Sequence, residues 1–113
     1  MPKPKRGEVW LVRFPFTDFT SSKLRPALVI ATHGDDVIAL GIFSRIPPTT
    51  VQTWVIIEDQ HPEFSKTGLK KTSVLRAEKI AVIHESVLYK KLGVIPADIV
   101  SQVQVALKKA LHI

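Results

Sequence analysis

Residues 5–31 read KRGEVWLVRFPFTDFTSSKLRPALVIA, and this stretch constrains the fold more than any other. Residues 9–14 are apolar with Arg13 as the only charge, and residues 26–32 form a second, continuous apolar run. Apolar runs this short, bounded by turn-forming residues, read as strands rather than helices. Between them, residues 15–24 hold two Thr, two Ser and one Asp, and read as an exposed loop. The second run opens on Arg25-Pro26. Proline cannot donate to a sheet ladder, so it belongs at a strand's start or edge. The residue before it is driven towards extended geometry. Arg25 is thereby held on extended backbone where a polar loop meets a buried strand. A planar, permanently charged guanidinium in that setting suits a phosphate. A surface arginine closing a strand is the other reading of the same pattern.

The rest of the chain continues the strand pattern and then changes period. Gly34-Asp35-Asp36 marks a turn, and residues 37–44 complete a hairpin with the second strand. Pro47-Pro48-Thr49-Thr50 breaks the run, and residues 53–58 form a fourth strand. A polar loop over 59–69 ends at Gly68-Leu69; residues 72–76 are a fifth strand and 79–83 a short sixth. Residues 85–92 read as a short helix ended by Gly93. After Pro96, apolar residues fall at Ile99, Val100, Val103, Ala106, Leu107, Ala110 and Leu111, the spacing of a helix with one buried face. Asp98 near its start and Lys108 and Lys109 near its end suit the helix dipole. The expectation is one mainly β domain over residues 1–113, a small, curved, partly closed sheet with a C-terminal helix. A chain of 113 residues buries roughly 60–70% of its unfolded surface, enough for a core without staples.

Charge and composition narrow the function. Sixteen Lys and Arg against ten Asp and Glu give a net charge of +6 and a pI near 9.8. Such a field favours polyanions and speeds their encounter. The cations cluster at Lys3/Lys5/Arg6, Lys70/Lys71, Lys90/Lys91 and Lys108/Lys109, although any single cluster also reads as a solvated face. There is no cysteine, which excludes disulfides and thiolate metal sites. His33, His61, His84 and His112 lack metal-ligand spacing. His33, at the turn after the second strand, is the one histidine placed to act as an acid or base. No phosphate-binding glycine loop, Ser/His/Asp set or carboxylate pair stands out, so no cofactor is expected. No apolar run approaches the ~20 residues that span a bilayer, and MPKPKR is followed by a strand pattern rather than a signal-peptide core. The chain is expected in the cytoplasm with no membrane partner.

The same segments carry a resemblance. GEVWLVRFPF, a Ser/Thr-rich loop and then RPALVIA resemble the first two strands of the MazF/PemK family, the toxins of bacterial toxin–antitoxin modules. TSVLRAEKIAVI resembles the family's fifth strand with the segment after it, and LGVIPADIVSQVQVALKKALHI its closing helix. The middle third matches least. The resemblance implies an SH3-like barrel of the MazF/CcdB type. It implies a homodimer that is neutralised by an antitoxin, which is often acidic, and that cuts single-stranded RNA without metal or cofactor. RNA supplies its own nucleophile, since the 2′-OH can attack the neighbouring phosphorus; the enzyme orients the phosphate and stabilises its charge.

The family's site residues carry over unevenly. Its R-P arginine corresponds to Arg25. Its second residue, a Thr or Ser at the end of the third strand, falls on Phe43 when GIFSRI is aligned in the simplest register, with Ser44 next door. Strand side chains alternate faces, so a one-residue offset matters. Ser44 takes the hydroxyl role only where a bulge or the strand end turns it inward; otherwise the second residue is missing. Arg13 and Arg45 are candidate phosphate binders. Thr17, Thr20, Ser21, Ser22 and Lys23 lie on the loop that covers the RNA groove in the family, where loop composition alone also explains them. Trp10 and Trp54 are expected to pack in the core or an interface. Two further readings stay open: a non-catalytic relative on the same barrel, whether a CcdB-like topoisomerase poison or a degenerate toxin that only binds its antitoxin, and a plain RNA-binding barrel.

Overall fold

The structure, a computed structural model, describes residues 3–13 and 23–113. Six strands appear in chain order: β1 (Glu8–Arg13), β2 (Leu24–His33), β3 (Asp36–Phe43), β4 (Trp54–Ile57), β5 (Ser73–His84) and β6 (Leu88–Val94). Helix α1 (Ala97–Leu111) follows them, and 3-10 turns occupy Phe64–Thr67 and Glu85–Val87. The strands form one antiparallel sheet in the order β4-β5-β3-β2-β1-β6. The two end strands are not paired with each other, so the sheet bends without closing.

Alternation buries both faces of the central strands. Val9, Leu28, Leu40, Ile42 and Leu75 share one cluster with Ile99, Val103 and Ala106 of α1. Their neighbours Trp10, Val12, Ala27, Val29, Val37 and Ala39 form a second cluster with Leu88. This explains why residues 26–31 are continuously apolar, while Thr32 lies exposed beyond them. One helix covers only one face, so the sheet covers the other by curling on itself, in the manner of a small open barrel. Each fully buried Leu, Val or Ile contributes about 1.5–3 kcal/mol of burial free energy. Trp10 is a core residue, as expected: it is buried and its Nε1 donates to Glu8 Oε1 at 2.9 Å.

Two expectations are corrected. Residues 73–84 are one strand, not two. The β3–β5 register jumps from Gly41↔Arg76 to Leu40↔Ile80. The gap expected at 77–78 therefore lies in a bulge within β5 that takes in residues 77–79. Residues 85–92 are not a helix: after the 3-10 turn, Leu88–Val94 pairs along β1, with Leu11↔Lys90 and Trp10↔Lys91. The outer edge of β1 would otherwise present unpaired backbone groups. Lys91 Nζ also meets Glu8 Oε2 at 3.0 Å across this pair. Helix α1 starts after Pro96, with Asp98 in its first turn and Lys108 and Lys109 in its last, as read from the sequence. His61 Nε2 binds the Asp98 carboxylate at 2.8 Å and ties the preceding loop to the helix start. Among the described residues no helix is long and apolar enough to cross a membrane.

Candidate nucleic-acid interface

Register sets Arg25. In the β1–β2 ladder it lies opposite Val12, and Pro26 lies opposite Leu11. The β2–β3 ladder runs only as far as Ala27↔Gly41, so Pro26 stands one residue beyond it, where its missing N–H costs that ladder nothing. Two residues past that pair on each strand are Arg25 and Phe43. The Arg25 Cζ lies 5.8 Å from the Phe43 ring centroid. From the other side, Arg76 Cζ lies 5.6 Å from the same centroid and 4.8 Å from the Trp54 ring.

These four residues come from β2, β3, β5 and β4, which are consecutive in the sheet. Arginine, phenylalanine, arginine and tryptophan thus alternate in a row across four strands. Gly41 lies opposite Arg76 and sets no side chain beside it, while Trp54 lies opposite Arg76 on the other flank. Each guanidinium–ring contact contributes about 0.5–1 kcal/mol at exposed sites. The row floors a cleft of about 510 Å³, which Lys23, Ser44 and Arg45 also line. Among the described residues the cleft therefore gathers four cations, Lys23, Arg25, Arg45 and Arg76.

One carboxylate organises its far end. Glu78 Oε2 accepts from Trp54 Nε1 and from Arg76 Nε, both at 2.9 Å, and Glu78 Oε1 accepts from Thr53 Oγ1 at 2.9 Å. Burial pushes the Glu78 carboxyl up, but the bonds from Trp54, Thr53 and Arg76 outweigh it and hold the group below the ordinary carboxylate value. The β5 bulge brings Glu78 to these partners. Trp54 and Arg76 are thus fixed before any ligand arrives.

The other sequence candidates fall as follows. Ser44 is the first residue past β3 and is exposed. It borders the cleft and also a second one of about 410 Å³, whose walls include Ile42, Lys70, Lys71 and Lys90. Arg25 borders both clefts. Lys23 and Arg45 join Arg25 in the first cleft, whereas Arg13 ends β1 opposite Leu24 and does not line it. Thr17, Thr20, Ser21 and Ser22 lie outside the described residues. His33 does not join the site: it is exposed at the other end of β2, eight residues from Arg25, or about 26 Å of extended strand. Trp54, expected only to pack, is half-buried in the cleft wall. Arg76 and Glu78 were not singled out from the sequence, although their two-residue spacing on one strand was the signal. Among the described residues, no group of three or more His, Cys, Asp or Glu is placed to hold a metal ion.

Comparison with known proteins places this geometry. The family model described as PemK-like, MazF-like toxin of type II toxin–antitoxin system matches residues 5–111. No curated protein sequence matches the chain. Among solved structures, an endoribonuclease from a mycobacterial species superposes with a TM-score of 0.75 at 22% identity, over 100% of this chain and 95% of the other. A mycobacterial endoribonuclease solved with its cognate antitoxin gives 0.74 at 22% identity, over 97% and 96%. MazF from Deinococcus radiodurans gives 0.73 at 21% identity, over 100% of both chains. At such identities these structures establish the fold.

Proposed function

The chain belongs to the PemK-like, MazF-like toxin family of type II toxin–antitoxin systems, and from that premise we propose that it is an endoribonuclease toxin cutting single-stranded RNA. The observation that carries the reading is the cleft around Arg25, which four cations line and in which Arg25 and Arg76 alternate with Phe43 and Trp54. A cationic groove with aromatic rings is the arrangement that holds single strands, because phosphates meet charge and bases meet rings.

In the proposed reaction the RNA 2′-oxygen bonds to the adjacent phosphorus and the bond to the 5′-oxygen breaks. The 2′-hydroxyl gives up its proton and the departing 5′-oxygen gains one, leaving a 2′,3′-cyclic phosphate and a 5′-hydroxyl. Arg25 holds the phosphate oxygens and offsets their growing charge. The substrate supplies the nucleophile, so the scheme requires no metal. Ser44, at the rim of the same cleft, is proposed to add a hydroxyl contact. Lys23 and Arg45 are proposed to hold flanking phosphates, and Arg13, Thr17, Thr20, Ser21 and Ser22 are proposed as further RNA contacts. A homodimer acting in the cytoplasm and neutralised by an antitoxin completes the proposal.

A non-catalytic relative is the second reading, and Phe43 is the observation that favours it, since a phenyl ring can neither donate to a phosphate nor accept a proton. Induction of the gene in a bacterial host decides between them. The endoribonuclease reading predicts growth arrest with fragmented mRNA, and RNA cutting by the purified protein that persists in EDTA. Growth arrest with intact RNA, or purified protein that leaves RNA whole, contradicts it.

A further inference from the structure

We propose that Arg76 is a preorganised phosphate-binding residue that holds the RNA phosphate neighbouring the one on Arg25. The inference deepens the endoribonuclease reading and rests on it for the identity of the ligand. Four observations carry it. Arg76 lines the same cleft as Arg25. Its guanidinium is flanked by two aromatic rings, Trp54 at 4.8 Å and Phe43 at 5.6 Å. Its Nε is committed to Glu78 Oε2 at 2.9 Å, which leaves the two terminal amino groups with four of the five guanidinium donors. Its side chain keeps 31% of its exposure, so those donors are reachable from solvent.

Held by an ion pair below and a ring on either side, the guanidinium has little conformational freedom to lose when an anion binds. Preorganisation of this kind raises affinity by lowering the ordering cost. The fork geometry matches two oxygens of one phosphate. Arg25 and Arg76 stand on β2 and β5 with β3 between them, two strand spacings or about 9–10 Å apart. That separation, with Phe43 between the two guanidiniums, assigns them to different phosphates of one strand. Arg76 therefore contributes to binding in the ground state and the transition state alike, whereas Arg25 acts on the reacting phosphate.

A surface ion pair that merely braces β5, with Glu78 also holding Trp54 of β4, is the competing explanation, and Glu78 separates the two. Binding is measured by fluorescence anisotropy with a labelled single-stranded RNA oligonucleotide of mixed sequence across a salt series. Arg25→Ala is the common background, so that the probe stays intact. Adding Arg76→Ala should weaken binding and make the log–log salt slope shallower by about 0.7, the loss of one phosphate contact on a single strand. Adding Glu78→Gln instead should weaken binding less than Arg76→Ala does and leave the salt slope at the background value, because the guanidinium charge stays while its anchor is loosened. In cleavage assays with Arg25 present, Arg76→Ala should raise KM several-fold with kcat little changed. An unchanged salt slope overturns the proposal. So does equal weakening by Arg76→Ala and Glu78→Gln, which marks a structural ion pair, or a loss in kcat at constant KM, which puts Arg76 on the reacting phosphate. Should the parental protein leave RNA uncut, the enzyme reading fails alone, and the salt slopes still judge Arg76.

Discussion

At the scale of single residues, two glutamates each fix a tryptophan, Glu8 in the core and Glu78 at the site. Trp10 Nε1 donates to Glu8 and Trp54 Nε1 to Glu78. Burial pushes both carboxyls up, yet hydrogen bonds from the indoles and from basic neighbours hold both below the ordinary value. A depressed folded pKa stabilises the fold at pH above the unfolded value, and that contribution is lost as pH falls through the depressed one. Tryptophan emission should thus stay constant from neutral pH past the ordinary carboxylate range and change only below it. In Glu78→Gln the Trp54 share of that acid transition should disappear while the Glu8 share remains. A parental transition at or above the ordinary carboxylate value contradicts this. Ser44 gives a second prediction. As a rim hydroxyl beside a guanidinium it contributes less than a charge, so Ser44→Ala should lower cleavage by about tenfold, well short of the loss on removing Arg25. A parental rate in Ser44→Ala would remove Ser44 from the site.

At the scale of elements, much was legible where a local pattern agreed with the tertiary one. The Arg25-Pro26 junction, the 26–32 run and the 3.6-residue period after Pro96 all became the expected elements, because burial on defined faces set each pattern. The failures lie where long-range pairing overrode local signals. Glu78 and Lys79 interrupt the apolar pattern because the chain bulges there, not because β5 ends. Residues 88–94 became β6 because β1 needed an edge partner and because Gly93 packs against the Phe64–Thr67 turn. A Cβ on Gly93 would overlap the Lys66 carbonyl, and one on Gly68, where φ is +73°, would overlap the Leu92 carbonyl. These are backbone atoms that cannot move aside. Gly93→Ala and Gly68→Ala should each cost about 2 kcal/mol or more, a fall in Tm of about 10 °C. Gly34→Ala, with φ of +61° and nothing within 4 Å, should cost only about 1 kcal/mol. Thermal melts in which Gly93→Ala matches the parent would refute the packing of β6. Arg76 was missed for the same reason as the bulge: reading 72–76 as a strand that stops put Arg76 at an end, rather than mid-sheet beside Phe43.

At the scale of the molecule, an excess of six positive charges should make the proposed RNA association salt-dependent, with the Arg25 cleft as its proposed destination. The sheet also leaves apolar side chains outside, with Val82 66% and Ile80 37% exposed on β5. The proposed homodimer offers a use for such surface, and light scattering should return about twice 12.6 kDa. A monomer at micromolar concentration and above would reject the dimer while leaving the cleft intact. We propose that this cleft cuts RNA through Arg25. RNA cleavage by the parental protein and by Arg25→Ala, with matched melting curves to show that both are folded, decides it. The structure predicts that the variant keeps its Tm, because Arg25 lies at a cleft rim, and cuts ~10²–10³-fold more slowly, the loss expected when a charged donor to the reacting oxygens is removed. A folded Arg25→Ala that cuts RNA at the parental rate would contradict it.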